Sequence, residues 1–266
     1  AMDSIYSQTF IDWEIIFWDN ASSDESANIA KSYDERVKYY RASKKTSLGK
    51  ARSLAVEKSS GKYLAFLDCD DLWLQHKLEK QIDLISNKDV AIVYGSCEIF
   101  YENKRKKNIT VNHDKKLPEG MIFSQLVCED FIPFPSILLN KEKFLECGGF
   151  PTHFKHSTDY WVLLHLSYKY QVRALQEVCC RYRIHESNLS HSQHVVCSKE
   201  NIELIKLFLP DKRAVIGLRH QYVGLCISFF RDKYYLKAIF TICKYGGWKI
   251  LLKRVFVKFY KVIVAL

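Results

Sequence analysis

The sequence has no uninterrupted apolar run long enough to span a bilayer. Its first ten residues, AMDSIYSQTF, show neither the basic nor the apolar stretch of a secretory signal. No GxxxxGK[ST] and no GxGxxG occurs, so P-loop and dinucleotide readings have no starting point. The nine cysteines are odd in number and lack CxxC spacing, and adjacent Cys179 and Cys180 suit neither a zinc site nor an ordinary disulfide. They read as small buried hydrophobes in a reducing compartment. Internal repeats and low-complexity tracts are absent too. What is present is a 266-residue chain, 48% apolar and 14% aromatic, with enough apolar mass for one large α/β domain or a domain plus an appendage.

Acids are scarce in one place. Residues 205–266 carry 13 Lys and Arg against two acids, Asp211 and Asp232, whereas the first 204 residues carry 27 against 28. A neutral body with a basic, apolar tail points to an anionic membrane surface rather than to nucleic acid.

Along the body, apolar strands alternate with helical patterns. Trp13–Trp18, Val37–Tyr40, Tyr63–Leu67 and Val90–Tyr94 read as strands. Ser22 with Glu25 fits a capping box ahead of a helix, and Gly49–Lys58 reads as a second helix. Leu74, Leu78, Ile82 and Ile85 mark a third. This alternation predicts a mostly parallel sheet covered on both faces, with ligands beyond the carboxyl ends of its strands. Asp19 and Asp68 both fall at such ends. Past residue 100 the pattern loosens. Glu102–Lys116 reads as a solvated loop or hairpin, Ser136–Leu139 as a strand and Cys147-Gly-Gly-Phe150 as a turn. Thr158–Lys169 reads as a helix, and 196–266 as helical with a break at Gly246-Gly247.

The chemistry concentrates in YLAFLDCDDLW, an apolar strand that ends in Asp68, Asp70 and Asp71. Hard divalent cations take oxygen ligands, often one or two carboxylates plus substrate phosphates. The plain alternative is a solvated turn whose acids cap a helix, with Asp71 as that cap. A phosphatase of the haloacid dehalogenase type also opens with strand–Asp-x-Asp, but it expects Thr where this chain has Leu72.

Four ordered blocks sharpen the reading: SQTFIDWEIIFWDNASSD, LGKARSLAVEKSSGKYLAFLDCDDLWLQHKLEKQ, CGGF followed by STDYWVLLHLS, and CRYRIHESNLS. Together they resemble a family 2 glycosyltransferase with the GT-A fold, over roughly residues 4–190. The resemblance implies an α/β GT-A sheet flanked by helices, with a nucleotide-sugar half (1–100), an acceptor half (101–195) and a basic amphipathic helical tail (196–266). It implies that Asp19 and Asn20 contact the nucleotide base, Arg52 the nucleotide or its phosphates, and Asp68 the ribose. Asp70 would hold Mn²⁺ or Mg²⁺ bridging the donor phosphates, with His185 touching the metal or phosphates. Asp159 would be the catalytic base of an inverting displacement. The family usually places Glu before that Asp, and here Thr158 stands there. Trp73 and Trp161 read as core or wall residues. The donor would be a nucleotide-diphosphate sugar, in the first instance a UDP-sugar, and the acceptor a glycan or lipid-linked hydroxyl. The family's first strand, central in its sheet, has no counterpart in the sequence. Its absence would cost neighbouring strands backbone partners, and the other reading is an inactive relative that binds nucleotide-sugar or membrane.

In the tail, WKILLKRVFVKFYKVIVAL places Lys249, Lys253, Arg254, Lys258 and Lys261 within one half of a helical wheel. Trp248, Leu251, Leu252, Val255, Phe256, Phe259, Val262 and Ile263 fill about 140° of the other half at about 100° per residue. That is the pattern of a helix lying in a membrane interface, which would put the protein at the cytoplasmic face of the membrane; the alternative is a helix packed on the catalytic domain with its basic face in water.

Overall fold

The structure is a computed structural model, in which residues 1–101, 108–111, 116–185 and 193–254 are described. The chain divides into two compact units, Ala1–Ile122 with Ile132–Glu186, and Phe123–Phe131 with Ser187–Leu266.

In the first unit, α1 (Met2–Tyr6) precedes β1 (Ile15–Asp19), α2 (Ser26–Lys31), β2 (Val37–Arg41), α3 (Leu48–Lys58) and β3 (Tyr63–Leu64). There follow β4 (Leu72–Trp73), α4 (Lys77–Ile85), β5 (Val90–Tyr101) and β6 (Ile109–Val111). In the second unit lies α5 (Phe123–Leu126). Back in the first come a 3₁₀ turn (Phe134–Ser136), β7 (Leu138–Asn140), α6 (Lys141–Glu146), α7 (Thr158–Lys169) and β8 (Gln171–Ile184).

β1 and β2 pair in parallel as their own sheet, and the larger sheet runs β3-β7-β5-β8-β4 with β6 on β5. The longest ladder, β5–β8, is parallel. The pairings β3–β7, β4–β8, β5–β6 and β5–β7 are antiparallel. The α/β architecture therefore stands, but the sheet is mixed rather than mostly parallel. The strand–helix alternation governs only the first hundred residues. β7 arrives later and inserts between β3 and β5 in the opposite direction.

Several local expectations shift for identifiable reasons. The Tyr63–Leu67 strand is paired only at Tyr63 and Leu64, where β7 is available. The Ser22–Glu25 capping box does not form. The Ser22 amide donates to Asp19 Oδ1 (2.7 Å), and α2 begins at Ser26. Helix α4 starts at Lys77, because the Leu74 amide is drawn to the Cys179 carbonyl instead (2.9 Å). Leu78 and Ile85 bury as predicted, whereas Leu74 stays partly exposed. Of Glu102–Lys116, Ile109–Val111 pairs with β5, and most of the rest lies outside the described residues. The 14-residue β8 has no counterpart in the sequence reading, although Val172 and Ala174 alternate with exposed neighbours at its start.

The main core packs Trp73, Leu78 and Ile85 against Val93, Cys97, Cys179 and Cys180. None of the nine cysteines is in a disulfide. Two polar side chains of α4 reach through this layer. Lys77 Nζ donates to Gln81 Oε1 (2.7 Å) and to the Ile137 carbonyl (3.0 Å). Gln81 Nε2 donates to the Ser136 carbonyl (2.7 Å), and Trp73 Nε1 to Pro135 (2.9 Å). These bonds satisfy buried carbonyls that have no ladder partner, and they fix the turn that carries Phe134.

The second unit is helical. It contains α8 (His194–Lys206), α9 (Lys212–Arg231), α10 (Tyr235–Tyr245) and a short helix over residues 248–254. Its core gathers Ile202, Val223, Cys226, Phe229, Ala238 and Ile242. The break at Gly246-Gly247 is present, with φ of 72° and 99°, values that glycine adopts without a Cβ penalty. Leu251 packs on the core rather than lying on an outer face, and Arg254 Nη2 donates to the Cys128 carbonyl (3.1 Å). The wheel's remaining members, Val255, Phe256, Lys258, Phe259, Lys261, Val262 and Ile263, lie outside the described residues. No helix of the described residues is long and apolar enough to cross a membrane.

Candidate active site

The turn Asp68–Asp71 is closed by the Asp71 amide donating to the Asp68 carbonyl (3.1 Å). It points its three carboxylates in different directions, which eases their repulsion. Asp68 faces outward, with its side chain 56% exposed, and takes two long bonds from Arg52 Nη2 (3.3 and 3.4 Å). Asp70 Oδ2 lies 2.8 Å from His185 Nε2, just past β8. Asp71 is buried, and its Oδ1 accepts the Arg183 amide (2.9 Å). Arg183 Nε in turn donates to the Asp70 carbonyl (2.9 Å). Asp71 is thus not a helix cap. It ties the acidic turn to the end of β8, and that tie seats His185 against Asp70. Burial, with Asp70 and Asp68 adding to it, pushes the Asp71 carboxyl up to about 7 against the Arg183 amide, and its Oδ2 has no partner.

Arg52 projects from α3, and its side chain is only 11% exposed. Its guanidinium lies over Phe134 (4.6 Å) and Phe150 (5.8 Å), while Nη1 is buried without a partner. A guanidinium held on aromatic faces with donors to spare is arranged to receive an anion. The glycine turn after α6 delivers Phe150, since Gly148 and Gly149 have φ of 90° and 64°. Gly49, at the start of α3, allows a close approach. A Cβ there would sit 2.4 Å from the Pro151 carbonyl and 3.0 Å from Thr158 Cγ2. That packing brings α3 onto the chain entering α7, where Asp159 sits.

Asp159 lies in the first turn of α7 with Oδ1 accepting the Tyr160 amide (2.8 Å). Desolvation raises its carboxyl above the usual range, and the Arg52 charge opposes the rise. Asp68 adds to it, so Arg52, Asp68 and Asp159 share one electrostatic neighbourhood. Thr158, where the resemblance expects Glu, is fully buried with Oγ1 unpartnered. A Glu side chain would have to fit the space that Gly49 leaves narrow.

Asp19 and Asn20 end β1 as expected. The Asp19 side chain is 1% exposed. Tyr39 Oη donates to Oδ2 (2.6 Å), and that bond leads in holding the carboxyl below its usual range, with Ser22 and Arg41 adding to it. Asn20 Nδ2 donates to the Thr46 carbonyl (2.9 Å), and its Oδ1 accepts the Thr46 amide (3.0 Å). Both side chains thereby shape the loops at the strand end. Trp73 is a core residue, and Trp161 stacks on His165 (3.8 Å) within α7.

Sequence reasoning missed Arg183 and the part of Asp71. Both act through β8, which lies 112 positions downstream of Asp71. The arginine two residues before His185 was the available signal.

The family model described as Glycosyl transferase family 2 matches residues 1–154. The chain belongs to glycosyl transferase family 2. It is similar to the UDP-Glc:alpha-D-GlcNAc-diphosphoundecaprenol beta-1,3-glucosyltransferase WfgD of Escherichia coli. The two are 26% identical over 196 residues, covering 73% of this chain and 74% of that one. The putative teichuronic acid biosynthesis glycosyltransferase TuaG of Bacillus subtilis is 22% identical over 202 residues, 75% of this chain and 78% of that one. Among solved structures, S. aureus TarS 1-349 in complex with UDP-GlcNAc superimposes with a TM-score of 0.61 at 16% identity. That match covers 94% of this chain and 70% of TarS. The mannosyltransferase PcManGT from Pyrobaculum calidifontis, in complex with GDP-Man and Mn²⁺, gives 0.59 at 13% identity over 94% and 78%. This family 2 glycosyltransferase therefore has the GT-A fold of those structures.

Proposed function

We propose that this glycosyltransferase is metal-dependent and inverting, and moves a sugar from a nucleotide-diphosphate donor to a hydroxyl of a glycan or lipid-linked acceptor. The carrying observation is the convergence of Asp70 Oδ2 and His185 Nε2, 115 positions apart in sequence and 2.8 Å apart in the structure. The Asp70 carboxylate would suit Mn²⁺ or Mg²⁺, and the His185 imidazole would favour Mn²⁺ of the two. No group of three or more His, Cys, Asp or Glu among the described residues is arranged to hold a metal ion by itself, so a protein-only cage is not what this donor set resembles. Bound there, the cation would neutralise charge developing on the leaving diphosphate.

The chain's own residues supply the rest. The Arg52 guanidinium, whose Nη2 reaches the exposed Asp68, would meet the donor's phosphates, and the outward-facing Asp68 would meet the ribose hydroxyls. Asp19 and Asn20 shape the strand end where the base would rest. Asp159 would take the proton from the acceptor hydroxyl as that oxygen attacks the anomeric carbon from the face opposite the leaving group. One such displacement inverts the anomeric centre. Desolvation raises the Asp159 carboxyl above the usual range, which makes it a stronger proton acceptor than an ordinary carboxylate. The similarity to WfgD, named for a UDP-Glc donor and a diphosphoundecaprenol acceptor, supports a UDP-sugar, a lipid-linked acceptor and polysaccharide assembly. The basic C-terminal region supports work at the inner membrane face.

A thermal-shift panel of nucleoside diphosphates with Mn²⁺ tests the reading. One diphosphate should raise the melting temperature, and only with the metal present. Absence of any metal-linked shift, together with no turnover of a donor panel, would favour the inactive-relative reading instead.

A further inference from the structure

The second unit turns an apolar face outward. On α10 the core side is Ala238, Thr241 and Ile242. The opposite side carries Tyr235, Leu236, Ile239, Phe240 and Cys243, which occupy an arc of about 140° at about 100° per residue. Leu236 is 85% exposed and Phe240 65%. Single exposed apolar residues are ordinary, but a contiguous row on one helix marks an interaction surface.

The surroundings of that row state its partner. Lys237 and Lys244 follow the apolar arc along one border, with Lys237 Nζ 4.7 Å from the Tyr234 ring and Lys244 Nζ 5.7 Å from Phe240. Their stems lie along aromatic surface while their charges reach outward, the habit of lysines at a membrane interface. Residues 248–254 repeat the arrangement. Trp248 and Leu252, each 52% exposed, stand beside exposed Lys249 and Lys253, while Leu251 faces the core. From Lys212 to Arg254 the chain holds ten Lys and Arg against the single acid Asp232. Apolar side chains bordered by cations alone complement an anionic lipid surface.

We propose that the outer face of α10, together with the exposed Trp248 and Leu252, seats the protein on an anionic lipid surface. The apolar row enters the headgroup boundary, and the lysines meet lipid phosphates. The proposal deepens the membrane reading given above by moving the contact to a helix outside the 248–263 pattern. It does not depend on catalysis.

Flotation of the full-length protein with phosphatidylcholine vesicles, with and without phosphatidylglycerol, tests it. Wild type should float with the anionic vesicles. The exposed double substitution Leu236→Ser with Phe240→Ser should lower the bound fraction at least tenfold, and Lys237→Glu with Lys244→Glu should remove the preference for anionic lipid. Circular dichroism and donor binding on the same preparations should match wild type, so loss of flotation is separable from failure of the catalytic site. Wild type that stays unbound, or variants that float equally, would overturn the proposal. So would a result in which the serine variants only turn an oligomer into a monomer in light scattering, which would assign the face to a second copy.

Discussion

His185 Nε2 and Asp70 Oδ2 stand 2.8 Å apart across 115 positions of sequence. The contact exists because Asp71, next to Asp70, accepts the amide of Arg183, two residues before His185. A buried carboxylate therefore sets the register in which two half-buried site groups meet.

That linkage predicts a split between two substitutions. Asp71→Asn keeps an oxygen for the Arg183 amide and relieves a carboxyl that burial already pushes up to about 7. It should leave stability within about 1 kcal/mol of wild type. Asp71→Ala leaves that buried amide unpaired, at a cost of about 1–3 kcal/mol, and should weaken Mn²⁺ binding measured by spin resonance. Urea unfolding curves for the two variants decide the matter, and equal losses would mean that the bond to Arg183 is not what matters.

Arg52 should be irreplaceable by Lys. Its guanidinium rests on Phe134 and Phe150 with Nη1 unpartnered, a planar arrangement that an ammonium cannot copy. Both Arg52→Ala and Arg52→Lys should weaken diphosphate binding by about tenfold or more, the loss of roughly one charge-assisted hydrogen bond. Calorimetric titration reads this directly. Full rescue by Lys would reduce the residue to a point charge.

Asp159 should govern the acid limb of the pH–rate profile. Desolvation raises its carboxyl and Arg52 opposes the rise. The limb should therefore fall above the ordinary carboxylate value of about 3.9. Removing Arg52 should move it to still higher pH. Asp159→Asn should cut kcat by about 10²–10⁴ and leave donor binding intact.

Lys77 gives a prediction about stability alone. Burial lowers its pKa from 10.5 to about 8, with Cys179 and Cys180 acting the other way. Below pH 8 the ammonium is charged in both folded and unfolded chains, and the fold carries the cost of burying it. Between about 8 and 10.5 the unfolded chain keeps a proton that the native state has released, so stability should rise with pH across that window. The rise should be on the order of 3 kcal/mol. Lys77→Met should flatten it in urea titrations compared pH by pH with wild type.

The acid cluster, the strand end at Asp19 and the helix bearing Asp159 were legible from apolar runs meeting carboxylates, whereas the strand expected to run up to Asp68 stops at Leu64. Local patterns carry that information because strand and helix periods are local. The clamp from Asp71 to Arg183 and the seat of Arg52 on Phe134 were not legible, since each depends on which distant strand or turn lies alongside. The direction of β7 was hidden for the same reason, and with it the mixed character of the sheet. In the tail, a helical wheel assigns faces only relative to one another. Leu251 turned to the core, and the neighbouring helix Tyr235–Tyr245 turned an apolar row outward.

The central claim is that Asp70, with His185, holds the cation that binds the donor diphosphate, and that Asp159 acts only in transfer. Calorimetric titration of the stabilising nucleoside diphosphate into wild type, Asp70→Ala and Asp159→Asn, each with Mn²⁺ and with chelator, tests it most directly. Wild type and Asp159→Asn should bind alike and only with Mn²⁺, while Asp70→Ala should lose at least tenfold. Binding by Asp70→Ala as tight as wild type, or wild-type binding unchanged by chelator, would contradict the account.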